Sequence, residues 1–274
     1  MELNSKVAYE KLDDLKEYLR GLGSLAIGFS GGVDSTFLAK VGKEVLGDKL
    51  LAVTCVSGTF SKREKSEAEE FCEKEGIKQV MCYTDELKIP GFSENPPNRC
   101  YICKKEIFTN IMGLAKENGI EYTAEGSNMS DLGDYRPGLM AIEELGVKSP
   151  LREAKLYKEE IRFLSKEMGL STWDKPAFAC LASRFVYGET ITKEKLSMVE
   201  KAEEILRDEG FVQFRVRVHG NLARIEVLAD DMPRFLENNF RNRIYSEIKK
   251  QGFDYVSLDL LGYRTGSMNE VILK

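Results

Sequence analysis

Six residues near the N-terminus, Ser30-Gly31-Gly32-Val33-Asp34-Ser35, carry the sharpest chemical signal in this chain. They stand between a short apolar run, Leu25 to Phe29, and a stretch that reads as helix from Thr36 to Leu46. Two glycines let backbone N–H groups come close to an anion. The start of a helix adds unpaired donors and the positive end of its dipole. Ser30 and Ser35 can add hydroxyl donors. Asp34 would repel a phosphate unless a cation lies between them, which points to Mg²⁺. A Gly-rich turn with an aspartate cap would use the same residue types, but strand, loop and helix follow here in the order that anion binding needs. No Gly-Lys-Ser/Thr closes the loop, so the lysine that grips a γ-phosphate in a Walker A loop is missing.

Three of the six cysteines are candidates for chemistry. Cys100-Tyr-Ile-Cys103 follows Asn-Pro-Pro-Asn-Arg at a loop-to-helix junction. Two thiolates at this spacing bind one metal or cluster, or form a redox pair. A closed four-cysteine zinc site is not evident, because there is no second such pair. Cys180 lies between Lys175 and Arg184, and cations near a cysteine favour its thiolate. Its small apolar neighbours equally suit a buried core cysteine. Cys55, Cys72 and Cys82 fall in strand or helix patterns and read as core. Further on, Arg215 and Arg217 alternate on one strand face, with Arg224 across a proposed hairpin. A guanidinium pair can grip a phosphate bidentately, although arginines on a strand also suit a solvated sheet face. His219, the only histidine, suits a hydrogen-bonding role better than a catalytic one.

The elements that must position these residues alternate along the first half. A helix over 1–22 is followed by the strand Leu25–Phe29, the helix after the loop, a strand from Leu50 to Cys55, a charged helix from Ser61 to Glu75 and a strand from Gln79 to Tyr83. That order predicts an α/β fold with a doubly wound parallel sheet, whose ligands sit at the carboxyl edge of the strands. Residues 89–99 and 126–138 read as polar loops, with a helix from Lys104 to Asn118 and a strand from Glu121 to Ala124 between them. A further helix is expected from Tyr157 to Met168, and residues 171–192 look irregular. After about residue 190 the pattern changes to helix, two alternating strands meeting at His219-Gly220-Asn221, a helix over about 231–250 and a strand from Tyr255 to Leu260. We therefore expect one domain over 1–188 and a smaller C-terminal α+β domain over 189–274.

Composition sets outer bounds. With 42% hydrophobic residues the chain can build a core, and disorder is not indicated. A net charge of −5 means that a nucleic acid would need a local basic patch, so no nucleic-acid partner is expected. No signal-peptide core and no segment of membrane-spanning length is visible, which makes the cytoplasm the default address and a membrane partner unexpected.

The SGGVDS loop resembles the signature of PP-loop ATP pyrophosphatases, the group of NAD and GMP synthetases and tRNA thiolases. The resemblance implies ATP cleavage between the α and β phosphates, with a substrate oxygen adenylated. Two further segments fit that group. Glu125-Gly126-Ser127-Asn128, followed by Asp131 and Asp134, offers polar groups for ATP and metal, and Ser149-Pro-Leu-Arg152 with Lys155, Lys158, Glu160 and Ile161 resembles its PLR…K…EI stretch. Mg²⁺ is expected near Asp34 and Asp131, and adenine near Ala52 to Thr54.

In order along the chain, SGGVDS, PPNRCYICKKEIF, EGSNMSDLGDYRPG, KPAFACLASRFVYGE and RVRVHGNLARIEV are similar to the LarE family. These are ATP-dependent sulfur transferases of nickel-pincer nucleotide cofactor synthesis, and the likeness covers nearly the whole chain. It implies a pyridinium-3,5-biscarboxylate mononucleotide as substrate, a carboxylate adenylated and then thiolated, and AMP released. In one branch of the family the cysteine matching Cys180 gives up its own sulfur. In another, three cysteines hold a [4Fe-4S] cluster whose open iron carries a sulfide. The presence of both the cysteine pair and Cys180 favours the cluster, with Cys100, Cys103 and Cys180 as ligands. The resemblance further implies that Arg215 and Arg217 bind the substrate phosphate, that Glu203 lies near the active centre, and that the protein is a homo-oligomer, a hexamer in the family. Lys175 and Arg184 are expected to offset charge at the adenylating centre. The competing readings are a tRNA thiolase or ammonia-using synthetase of the same superfamily, and a non-catalytic Fe–S or nucleotide-sensing module.

Overall fold

In the computed structural model, residues 4–59, 62–133, 137–176 and 180–272 are described. The chain forms two compact units. The first comprises Met1–Asp85 and Cys100–Phe178, the second Glu86–Arg99 and Ala179–Lys274.

The first unit is built on a parallel sheet of four strands, β1 (Leu25–Gly28), β2 (Leu50–Val56), β3 (Lys78–Tyr83) and β4 (Tyr122–Ala124), in the order β3-β2-β1-β4. β1 lies between β2 and β4, with Leu25 opposite both Leu50 and Tyr122. The strands are apolar on both sides, as a sheet covered on both faces requires. Leu25, Ile27, Leu50 and Ala52 face one core with Leu12, Leu15 and Leu19 of α1 (Ser5–Leu22), Phe37 and Leu38 of α2 (Val33–Leu46) and Ala68 and Cys72 of α3 (Lys62–Lys74). Ala26, Leu51 and Val53 face the other, against Phe108 and Ile111 of α4 (Arg99–Glu117) and Ile142 of α5 (Pro137–Glu144). Each fully buried large side chain contributes roughly 1.5–3 kcal/mol. This is the doubly wound α/β architecture expected from the alternation of apolar runs and helices. Two short helices complete the unit, α6 (Pro150–Glu153) and α7 (Lys158–Glu167).

Local boundaries depart from expectation in informative ways. α2 begins at Val33, so Asp34 and Ser35 belong to its first turn. α4 begins at Arg99, which puts Cys100 and Cys103 inside the helix's opening turns. The polar stretch 126–138 holds a 3₁₀ turn over Met129–Gly133 and the start of α5. Asp134 lies outside the described residues.

The second unit carries a three-stranded sheet, β5 (Phe214–His219), β6 (Leu222–Val227) and β7 (Tyr255–Leu258), in that order. β5 and β6 are antiparallel around a turn at Gly220-Asn221, and β6 and β7 are parallel. The helix expected over 231–250 is divided into a 3₁₀ stretch, Ala229–Leu236, and α9 (Asn238–Lys249). Pro233 lies inside the 3₁₀ stretch, where it has no N–H for an α-helical bond to the preceding turn, and extended Glu237 separates that stretch from α9. α8 (Lys193–Asp208) buries Leu196, Val199, Ala202 and Leu206. Phe211 stacks on Phe235, Phe240 meets the two rings tilted and edge-on, and Arg234 lies over Phe211 and Phe240.

Candidate functional site

The loop between β1 and α2 is shaped by its own side chains. Phe29 N donates to Val53 O, which fixes where the chain leaves the sheet. Ser30 Oγ and Ser35 Oγ are 3.1 Å apart, and Gly32 N donates to Ser30 Oγ at 3.4 Å. Gly31 has φ of +68°, a conformation that strains any residue with a Cβ. Gly32 caps α2 without a side chain, so the first-turn amides, which have no acceptor within the helix, open toward the loop. That arrangement suits an anion.

Two lysines flank the loop. Lys175 Nζ donates to Gly31 O at 3.0 Å and to Glu67 Oε2 at 2.6 Å. Lys158 Nζ donates to Asp34 Oδ2 at 2.6 Å, and Asn128 Nδ2 donates to Asp34 Oδ1 at 3.2 Å. Asn128 also joins Asp131, its N–H donating to Asp131 Oδ2 at 2.9 Å. Asn128 thus ties together the two carboxylates expected at the Mg²⁺ site. Burial pushes the Asp34 carboxyl up from its ordinary value, against the pull of Lys158 and its hydrogen bond, with Asp131 adding to the rise. Lys158 is set by local structure: its N–H donates to Ser130 Oγ at 3.1 Å, and Met129 N donates to Leu156 O.

Gly126 comes close to the loop. A Cβ there would stand 3.1 Å from Ser35 N, so a larger residue would press the β4 exit against the start of α2. Beside it Glu125 is buried, accepting from Ser149 Oγ at 2.7 Å and from Ser127 Oγ, with Lys104 Nζ at 3.6 Å. Ala52 and Thr54, expected beside adenine, are buried within β2, where Gln79 Nε2 donates to Thr54 Oγ1 at 2.9 Å. The structure thus brings Ser30 to Ser35, Gly126, Asn128, Asp131 and Lys175 around one loop. Glu67 was not singled out from sequence, because its partner Lys175 lies 108 residues away and leaves no local pattern. Glu125 and Ser149 were named in separate segments, and the structure joins them.

In the second unit, Arg184 is 1% exposed and donates through Nε and Nη2 to both oxygens of Glu203, at 2.8 Å each. Glu203 Oε1 also accepts Val216 N at 3.0 Å. Burial pushes the Glu203 carboxyl up, but Arg184, with further help from Arg215 and the Val216 amide, holds it below the usual carboxylate range. Arg184 Nη1 reaches back to Cys180 O at 3.2 Å. Arg217 lies opposite Arg224 in the hairpin, as expected. The face it shares with Arg215 is not solvated, however. Both arginines are nearly fully buried. Arg217 donates to Glu226 Oε2 at 3.0 Å, Ser183 O at 2.9 Å and Ser267 Oγ at 3.2 Å. Arg215 packs on the Tyr263 ring, and burial next to Arg184 lowers its guanidinium to about 10. His219 closes β5, and burial, aided by Arg224, holds its imidazole below the ordinary value.

Cys100 and Cys103 belong to the first unit and Cys180 to the second. Cys100 and Cys180 are exposed and Cys103 is half-buried. Within either unit, the described residues gather no set of three or more His, Cys, Asp or Glu side chains placed to hold a metal ion. None of the described helices is long and apolar enough to cross a membrane.

A parallel α/β sheet with a Gly-Gly loop entering α2 is the architecture of PP-loop nucleotide-handling proteins, and the NAD synthase family model matches residues 8–89. Among curated relatives, a protein of Synechocystis sp. with no described activity is 42% identical over 96% of this chain and 98% of its own. The pyridinium-3,5-bisthiocarboxylic acid mononucleotide synthase of Lactiplantibacillus plantarum is 37% identical over 93% of this chain and 92% of its own. A glutamine-hydrolyzing GMP synthase component of Thermoplasma volcanium is 29% identical over 71% of this chain and 66% of its own. The chain belongs to the LarE family, that of the pyridinium-3,5-bisthiocarboxylic acid mononucleotide synthase.

Proposed function

We propose that this protein is an ATP-dependent sulfur transferase that converts carboxylates of pyridinium-3,5-biscarboxylic acid mononucleotide to thiocarboxylates. The observation that carries the reading is the uncapped start of α2 behind Gly31-Gly32, flanked by Lys175 on one side and the Asp34–Lys158 pair on the other. It is supported by 37% identity over 93% of the chain to the synthase of that product.

Polyphosphate oxygens would take the first-turn amides of α2 and the Ser30 and Ser35 hydroxyls. Lys158 supplies a cation at Asp34, which answers the repulsion that an unpaired aspartate would exert. Asp34 and Asp131 are the residues that would hold Mg²⁺, which when bound would neutralise charge on the phosphates. A substrate carboxylate oxygen attacks the α-phosphorus, the bond to the β-phosphate oxygen breaks, and pyrophosphate leaves. The product is an acyl adenylate, whose AMP is a good leaving group for a sulfur nucleophile. Lys175 holds Gly31 O and so keeps the loop open to the nucleotide. Arg215 is the residue we assign to the substrate phosphate, with Arg217 beside it, and Arg184 with Glu203 to the Cys180 turn.

Cys100, Cys103 and Cys180 would hold a [4Fe-4S] cluster, which when bound would supply a labile sulfide. The support is the chemistry of the donors: two thiols three residues apart on the first turns of α4, and a third in an exposed turn. The reading extends to a cytoplasmic homo-oligomer, whose subunit number light scattering gives.

The test is pyrophosphate release from ATP with the biscarboxylate mononucleotide, and thiocarboxylate detection by mass spectrometry. ATP binding without pyrophosphate release would replace this reading with a sensing module, and thiolation of bulk tRNA with a tRNA enzyme. Anaerobic purification gives the sulfur source. About four irons per chain with acid-labile sulfide support the cluster, and loss of one sulfur from Cys180 after turnover supports a sacrificial cysteine.

A further inference from the structure

The turn that begins at Cys180 is held from the inside by the segment Glu86–Arg99, which belongs to the same unit. Arg99 is buried, and its Nη1 donates to Ala182 O at 2.9 Å and to Asn95 Oδ1. Asn95 is fully buried, and its Nδ2 donates to Val186 O at 2.6 Å and to Phe185 O at 3.3 Å. The backbones join as well: Gly188 N donates to Asn95 O at 2.9 Å and Ile191 N to Ser93 O at 2.8 Å. Asn95 adopts φ of +53°, a region that costs a residue with a side chain and persists where surrounding contacts over-determine it. Four successive contacts, at Ala182, Phe185, Val186 and Gly188, therefore fix one side of the cysteine turn. Arg184 at Cys180 O and Arg217 at Ser183 O fix the other.

We propose that Asn95 and Arg99 are positioning residues for Cys180, acting in the sulfur-transfer half of the reaction and not in adenylation. A sulfur that must reach an acyl carbon depends on placement to within about 1 Å, and a misplacement of that size costs about 100-fold. Adenylation depends on the α2 loop of the first unit, to which neither residue belongs. The inference rests on the sulfur-transferase reading.

The test measures thiocarboxylate formed per pyrophosphate released, with the KM for ATP, in Asn95→Gly and Arg99→Lys. Glycine keeps the positive φ without strain while removing the amide. Lysine keeps a cation, but its flexible stem does not hold one nitrogen between Ala182 O and Asn95 Oδ1 as the planar guanidinium does. The expected result is a drop of about tenfold or more in that ratio, with pyrophosphate release and KM for ATP unchanged. A ratio equal to that of the parent protein, or a parallel loss of both products, overturns the proposal. A second readout needs no activity: the rate at which iodoacetamide modifies Cys180, followed by peptide mass mapping at a temperature where thermal melting shows both variants folded. A rate altered about threefold or more supports the positioning role, and an unaltered rate in both variants overturns it. If the parent protein releases no pyrophosphate, the transferase reading fails, and the alkylation result still stands or falls alone.

Discussion

Asp34 meets its cation within the chain. Lys158 stands 2.6 Å from its carboxylate, and Asn128 binds the other oxygen. Burial nevertheless raises the carboxyl above its ordinary value of 3.8. A carboxyl raised by folding stabilises the protein below its unfolded value, and that contribution is lost as pH climbs through the folded one. Asp34→Asn should therefore melt no lower than the parent at pH 8, with the difference shrinking toward pH 4, while pyrophosphate release falls about 100-fold or more. Differential scanning fluorimetry across pH, paired with the release assay, checks both halves. Glu203 behaves in the opposite sense. Its carboxyl is held below 4.5, so its contribution is present above that value and lost as pH falls through the folded one. Glu203→Gln leaves Arg184 buried beside a neutral partner, and should cost about 3–5 kcal/mol in urea unfolding at pH 7. Replacing both by apolar residues should recover most of that loss. The cysteines also divide by environment. Burial pushes the Cys72 thiol up to about 12, so iodoacetamide at pH 8 should leave it intact while modifying exposed Cys100 and Cys180.

At the scale of elements, β4's exit comes close to the start of α2. Gly126→Ala would set a methyl 3.1 Å from Ser35 N, and the first turn of α2 would have to move. Gly31→Ala forces a Cβ into a left-handed conformation at a cost of roughly 1–2 kcal/mol. Both should weaken ATP binding about tenfold or more by isothermal titration while the melting temperature changes little. Gly31 was legible in sequence because its loop sits between an apolar run and a helix, and period and punctuation are local properties. Gly126 came only from the resemblance of its segment. The partner of Asp34 was not, because Lys158 lies 124 residues away. The Asn95–Arg99 clamp was hidden for another reason. Asn-Pro-Pro-Asn-Arg has the composition of an ordinary turn, and nothing in it shows that its side chains are buried. The arginine strand misled by the same gap: alternation gives the shared face of Arg215 and Arg217, but only the tertiary cover of Ser183 and Ser267 makes that face dry.

At the scale of the molecule, the parallel sheet and the C-terminal α+β layer follow from the alternation of elements, but the strand order and the division of the chain do not. The second unit takes residues 86–99 from the middle of the first. A fragment ending at residue 178 would carry that segment without the turn it binds. We expect such a fragment to be soluble only when residues 179–274 are co-expressed, as a pull-down of the two pieces would show.

The hydrogen bond from Asn95 to Val186 spans 91 positions. During synthesis the nascent chain must therefore emerge from the ribosome well beyond Arg99 before that asparagine finds its acceptors. Until then Phe92, 1% exposed in the finished protein, has no shelter in its own unit. Closing so long a loop is slow relative to neighbouring helices. The interval should appear in pulsed hydrogen exchange as late protection of amides 92–95, 98 and 99, and it marks the stage at which chaperones would engage this protein.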